Sequence, residues 1–248
     1  MKLFYIFLLG LYFGCQKVSI EKQLNMNWTR FNLDLPTGIE IYQGENTKIP
    51  LKAWVAVIDL ENEKINARIL SSDDNDRKES PMEFLQNTNA VLVINGGYFN
   101  ADKMPSQHVG LLKTGGKLEE PASHSVLRDS QRYFISRGAF GIKNNGLPDI
   151  AWCSTKNDSI FQWKRPLYNR PGHPSNKIDF SSSQFWKVRD AIHAGPILIH
   201  NNIIDITIED EVFFNTPISG IQPRSAVGYT KNNELILMVV DGRQIESR

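Results

Sequence analysis

From Trp28 onward the chain is written as short apolar runs bounded by Gly, Asn, Asp and Pro, which is a strand pattern. The clearest candidates are 38–42, 52–60, 64–70, 90–95, 109–113, 132–136, 140–143, 192–200, 224–229 and 234–241. Asparagine marks the turns between them. Asn62-Glu63, Asn144-Asn145-Gly146, Asn201-Asn202 and Lys231-Asn232-Asn233 each separate two apolar runs. Asparagine tolerates the left-handed backbone that tight hairpins need.

Helical signals are few. Ser80-Pro81-Met82-Glu83 places Ser at an N-cap, Pro at the first helical position and Glu three after the cap. That is a capping box, and it predicts a short helix ending near Asn87. Ser181 to Gln184 repeats the S-x-x-Q form before Phe185-Trp186 and predicts a second. Hairpin-linked strands that outnumber helices predict an α+β fold, with a mainly antiparallel or mixed β-sheet and few short helices in a single domain.

With 248 residues, 41% of them hydrophobic, the chain has enough apolar material for one sizeable core. The formal net charge is +1, and no block of Lys and Arg stands out, so the electrostatic footprint of a nucleic-acid binder is missing. Lys2 precedes an apolar run, Leu3 to Phe13, and then Gly14-Cys15. The run is too short for a permanent span and fits a secretory signal. A small residue directly before cysteine is similar to a bacterial lipoprotein signal, so Cys15 is expected to carry a membrane anchor. The expected organisation is a signal over 1–14, a polar tether over 15–27 and a folded domain over 28–248.

A lipidated Cys15 leaves Cys153 alone, and no internal disulfide is expected. Cys153 follows Ala151 and Trp152 and reads as a buried structural thiol rather than a nucleophile. Neither C-x-x-C nor H-E-x-x-H spacing occurs, so a zinc site has no support, and no metal or cofactor is expected.

Three stretches could carry chemistry. The run VLVIN reads as a strand buried on both faces, and it ends in Asn95-Gly96-Gly97, where glycines permit a sharp turn and close backbone approach. Ala194-Gly195-Pro196 interrupts another apolar run, and His193 just before it reads as a satisfied core residue. Arg224 starts one strand of a hairpin, and Asp241-Gly242-Arg243 ends the other. Antiparallel pairing sets the first strand's start beside the second strand's end. Arg224, Asp241 and Arg243 are therefore expected to gather at one end of a sheet. Two guanidinium groups there suit a phosphate or carboxylate, but a structural Arg–Asp pair is an equal reading of the hairpin alone.

The ordered set N-G-G-Y-F, A-G-P, P-R-x-A-x-G-Y and V-V-D-G-R resembles the phosphodiester glycosidase family, over roughly Leu51 to Arg243. The resemblance implies an exported hydrolase acting on a carbohydrate phosphodiester, a sugar linked to phosphate through its anomeric oxygen. It implies Asp241, Arg224 and Arg243 as catalytic residues. Arg224 and Arg243 would hold the phosphate, and Asp241 would serve as acid/base or stabilise the developing cation. Asn95, Gly96, Gly97, Gly195 and Gly242 would bind substrate. Family members carry a second glycine-rich acidic motif beyond D-G-R, whereas this sequence stops at Arg248. A missing C-terminal part is therefore expected, and a non-catalytic glycan-binding lipoprotein or an inactive relic stands as the alternative.

Overall fold

The computed structural model describes residues 25–242. The N-terminal apolar segment, Cys15 and Arg243 lie outside the described residues. Two antiparallel sheets dominate.

The first has five strands in the order Asn27–Arg30, Ile39–Asn46, Leu51–Asp59, Glu234–Val240, Arg224–Tyr229. Leu51–Asp59 is its centre, paired with Ile39–Asn46 on one side and Glu234–Val240 on the other. The start and the end of the chain are thus zipped into one sheet. The second has seven strands in the order Gln184–Phe185, Ser159–Trp163, Pro148–Lys156, Arg137–Ile142, Asp190–His193, Leu112–Thr114, Lys117–Glu120.

Side chains alternate along a strand, so a strand buried at every position must be covered on both faces. Arg137–Ile142 is such a strand. Phe140 and Ile142 point into a core shared with Ile39, Ala56, Ile58 and Leu235 of the first sheet. Ala139 points the other way, into a core with Cys153, Ala191, Trp186 and Val188. The sheets therefore pack face to face, and the Trp186–Val188 segment closes the far side. Burying a side chain such as Ile142 is worth ~1.5–3 kcal/mol.

The fold is more β than the expected α+β. Its one α-helix among the described residues is Pro81–Asn87, whose capping box is complete: Ser80 Oγ accepts from Glu83 N, and Glu83 accepts from Ser80 N. The second expected helix is only a 3-10 turn, Phe180–Ser182. Its cap is Asp179 rather than Ser181, and extended backbone at Ser183 ends it.

Three expected strands differ. The 64–70 run forms no ladder, because both sides of Leu51–Asp59 are already paired. Its alternate residues Ile65, Ala67 and Ile69 still pack into the shared core. The 90–95 run is neither a ladder strand nor buried on both faces, and Val91 is 51% exposed. It is anchored by Leu92 in the shared core and by its glycines, described below. The 192–200 run is split into Asp190–His193 and Ile199–His200, because Gly195 adopts a left-handed φ of +78° and Pro196 has no N–H to give a ladder.

Candidate active site

The N-G-G-Y-F and A-G-P stretches, far apart in sequence, form one assembly. Gly97 lies so close to His193 that a Cβ would overlap the His193 carbonyl oxygen. At Gly96 a Cβ would stand 2.8 Å from Ile192 Cδ1. The glycines thus serve close approach to the chain's own Asp190–His193 strand. The turn they make throws Tyr98 across to the A-G-P break, where its hydroxyl donates to Gly195 O at 3.0 Å. The Tyr98 ring stands 5.8 Å from that of Phe213. Burial raises the Tyr98 pKa, and the positive charges of Arg224 and Arg137 oppose that rise. Asn95 is exposed, and its Oδ1 accepts from Ser225 Oγ at 2.6 Å, which ties the turn to the Arg224–Tyr229 strand.

Beneath this assembly lies Glu211, fully buried. Oε2 accepts from Gly138 N at 2.7 Å. Oε1 accepts from Ile197 N at 2.8 Å, Trp152 Nε1 at 3.0 Å and Thr207 Oγ1 at 2.6 Å. Desolvation pushes the carboxyl pKa up, and the four hydrogen bonds pull against that. Gly195 is pressed onto this carboxylate, and a Cβ there would overlap Oε2. Beside Glu211 sits Arg137, 9% exposed, with its guanidinium 4.2 Å above the Phe213 ring. Burial lowers its pKa to about 10, so it remains charged at neutral pH.

The hairpin pairs as the sequence predicts, with Arg224 opposite Val240. Neighbouring side chains on a strand leave by opposite faces, so Asp241 starts on the face away from Arg224. The Arg224 Nη2 donates to the carbonyls of Pro217, Ile218 and Gly220 at 3.2, 2.8 and 3.0 Å. It thereby holds the 3-10 turn Pro217–Ser219. Asp241 extends the first sheet: its N donates to Lys52 O at 3.0 Å, and its Oδ1 accepts from Lys52 N at 2.8 Å. Gly242 packs against the other end of the hairpin, where a Cβ would stand 2.5 Å from Pro223 N. Arg243 lies outside the described residues.

His193 and Cys153 are core residues. His193 Nδ1 accepts from Leu111 N at 3.2 Å, and Nε2 lies 3.3 Å from Cys153 Sγ. Burial drives the imidazole pKa down to about 3 and the thiol pKa well up, so both stay neutral and the pair holds no thiolate–imidazolium. Among the described residues no group of three or more His, Cys, Asp or Glu could hold a metal ion.

The model of the phosphodiester glycosidase family matches residues 88–247, a span that contains the N-G-G-Y-F turn, the A-G-P break and both strands of the hairpin. The chain belongs to the phosphodiester glycosidase family. Among solved structures, a hypothetical protein from Synechocystis is similar at a TM-score of 0.51 and 13% identity. That alignment covers 87% of this chain and 56% of the Synechocystis chain, and at such identity it speaks for the fold alone. A structure from Burkholderia pseudomallei aligns at a TM-score of 0.37 and 11% identity, over 79% of this chain and 62% of that one. No curated protein matches the chain.

The N-G-G-Y-F and A-G-P stretches therefore meet at Tyr98 and Gly195, but two buried charged groups beside them, Arg137 and Glu211, do not stand out in the sequence. One signal for Arg137 was available. It is a lone charge in the otherwise uncharged stretch Tyr133–Ile142. Glu211 sits in Ile208-Glu209-Asp210-Glu211, which reads as a solvated turn.

Proposed function

We propose that this protein is a hydrolase that cleaves a sugar joined through its anomeric oxygen to a phosphodiester. The observation that supports the reading is the meeting of three of the family's motifs: N-G-G-Y-F touches A-G-P through Tyr98 and Gly195, and P-R-x-A-x-G-Y through Asn95 and Ser225. Glycoside cleavage passes through an oxocarbenium-like state and normally needs an acid for the leaving oxygen. The phosphate leaving group is already a weak base. Stabilising its charge therefore matters more than protonating it, and arginine suits that task. In this reading Asp241 is the acid/base or the stabiliser of the cation, and Arg243 and Arg224 serve the phosphate. Asn95 and the neighbouring backbone orient the sugar.

The test is release of free sugar from alpha-linked sugar phosphodiesters by the folded full chain, compared with Asp241→Ala and Arg243→Ala. Turnover in the wild type that drops at least a hundredfold in both variants supports the reading. A wild type as inactive as both variants across a panel of sugars sinks it.

A second reading is a non-catalytic module that binds glycans or phosphodiester polymers. It is favoured by one fact: Arg224 and Asp241 both make hydrogen bonds to backbone groups. Saturable binding without turnover would select it. In either reading we propose export and lipidation at Cys15, from the Gly14-Cys15 sequence after the apolar run. Incorporation of labelled fatty acid that is lost in Cys15→Ser tests this. Unchanged labelling would rule it out.

A further inference from the structure

Arg137 is nine-tenths buried, yet most of its donors are unused. Nε donates to the Glu211 carbonyl oxygen at 3.3 Å. Among the described residues Nη1 and Nη2 have no hydrogen-bond partner, and they are not sealed from solvent. Arg137 lines a cleft of about 390 Å³, together with Arg128, Tyr98, Phe213, Thr216 and Ile218. Arg128 is in a similar state: its Nε is buried without a partner. Among the described residues neither arginine has a carboxylate within ion-pair distance. The two lie close enough for the charge of Arg128 to bear on Arg137.

Two like charges at one concave place, with idle donors, are costly unless something opposes them. Glu211 opposes Arg137 only from behind, with both carboxylate oxygens committed elsewhere. The front is open. Planar guanidinium forks match an oxyanion with two or more free oxygens. The remaining walls include the side chains of Tyr98, Leu127 and Ile218, which suit the apolar face of a sugar ring.

We infer that this cleft is an anion site, in which Arg137 and Arg128 hold a phosphate or phosphodiester group while the rest of the ligand lies against Leu127 and Ile218. The choice of a phosphodiester rests on the function proposed above; the anion site does not. Arg224 has a place in this arrangement without touching the ligand. Its bond to Ile218 O holds the turn that forms one wall.

The experiment is calorimetric titration of the full chain with inorganic phosphate and with glucose 1-phosphate, using wild type, Arg128→Met and Arg137→Met. Saturable binding of both probes is expected, weakened at least tenfold by Arg128→Met and abolished by Arg137→Met. Thermal melts check each variant. Should the buried Arg137→Met fail to fold, the partly exposed Arg128→Met decides alone. No binding by the wild type, or unchanged affinity in folded Arg128→Met, overturns the site. Sugar release is read on the same samples. Phosphate binding without sugar release sinks the hydrolase and leaves the anion site standing. Sugar release with unchanged phosphate affinity in Arg128→Met does the reverse.

Discussion

Glu211 Oε2 accepts a hydrogen bond from the backbone N–H of Gly138, the residue that follows Arg137. The same carboxylate holds Ile197 N, just after the A-G-P break, and Trp152 Nε1 on the neighbouring strand. One side chain thus fixes the floor of the cleft and the left-handed Gly195 above it. Glu211→Ala would strand these donors and leave buried Arg137 without its opposing charge. The expected loss is at least ~3 kcal/mol, since each stranded buried donor costs about 1–3 kcal/mol. Glu211→Gln keeps the volume and one acceptor and should lose less. Urea unfolding would show this as a lower midpoint at unchanged slope.

Gly97 and Gly228 make a matched pair for testing close approach. A Cβ on Gly97 would overlap the carbonyl oxygen of His193, which is backbone and cannot swing away. A Cβ on Gly228 would meet nothing within 4 Å. Gly97→Ala should therefore cost about 1–3 kcal/mol or more, as overpacking does, and displace Tyr98 from Gly195. Gly228→Ala should be neutral or slightly stabilising. Equal melting temperatures for the two variants would contradict the approach seen here.

The buried His193 gives stability a pH dependence of definite sign. Its folded pKa is lowered to about 3, chiefly by burial and then by the charge of Arg137. An unfolded imidazole titrates near ~6.5. Between these values the unfolded chain binds a proton that the folded protein refuses, so stability falls as pH falls through that window, by ~1.4 kcal/mol per unit at most. His108, lowered by burial, adds in the same sense. Glu211 acts oppositely: its pKa is raised, so above the ordinary carboxyl range stability falls as pH rises towards the raised value. The variant His193→Gln separates these effects. Its urea midpoints between pH 4 and 7 should lose a slope of about one proton.

Arg224 acts through the turn it holds. Its guanidinium donates to three carbonyls between Pro217 and Gly220, and the turn's own bonds run from Ser219 N to Thr216 O and from Gly220 N to Pro217 O. In Arg224→Met the turn loses these charge-assisted bonds, and global stability should drop by only about 1–2 kcal/mol. Amide exchange at Ser219 and Gly220 should quicken far more than exchange in the Arg137–Ile142 strand. Uniform quickening would mean that Arg224 supports the whole sheet instead.

Much of the framework was legible because it is local. A capping box at Ser80 and Glu83 needs only four residues, and Asn201-Asn202 announces a turn by its own backbone preference, both residues having positive φ. The hairpin ending at Val240 was legible for the same reason. What failed was pairing between distant segments. Ile65, Ala67 and Ile69 alternate as a strand would, but nothing in that run says that Leu51–Asp59 already has two neighbours. The site divides similarly. Motif residues Asn95, Gly97 and Gly195 could be named from their neighbours, whereas Arg137 and Glu211 matter because of burial, which the chain around them does not encode.

Asp241 allows structure and chemistry to be separated by one atom. Its Oδ1 accepts from Lys52 N, and its own N–H donates to Lys52 O, so part of its role is to lengthen the first sheet. Asparagine keeps an acceptor at Oδ1 and removes the charge and the proton-transfer capacity. If Asp241 works in turnover, Asp241→Asn should melt within about 2 °C of wild type, an exposed bond of this kind being worth little on the scale of a whole domain. Its kcat should fall by about 10²–10⁴, as the loss of a general acid or base requires. If Asp241 only caps the sheet, Asp241→Asn should retain full kcat, and only Asp241→Ala, which loses the acceptor as well, should lower the melting temperature. Measured side by side, kcat and melting temperature for the two variants distinguish the roles, because the chemical role predicts that both variants lose activity and the structural role predicts that only alanine loses stability.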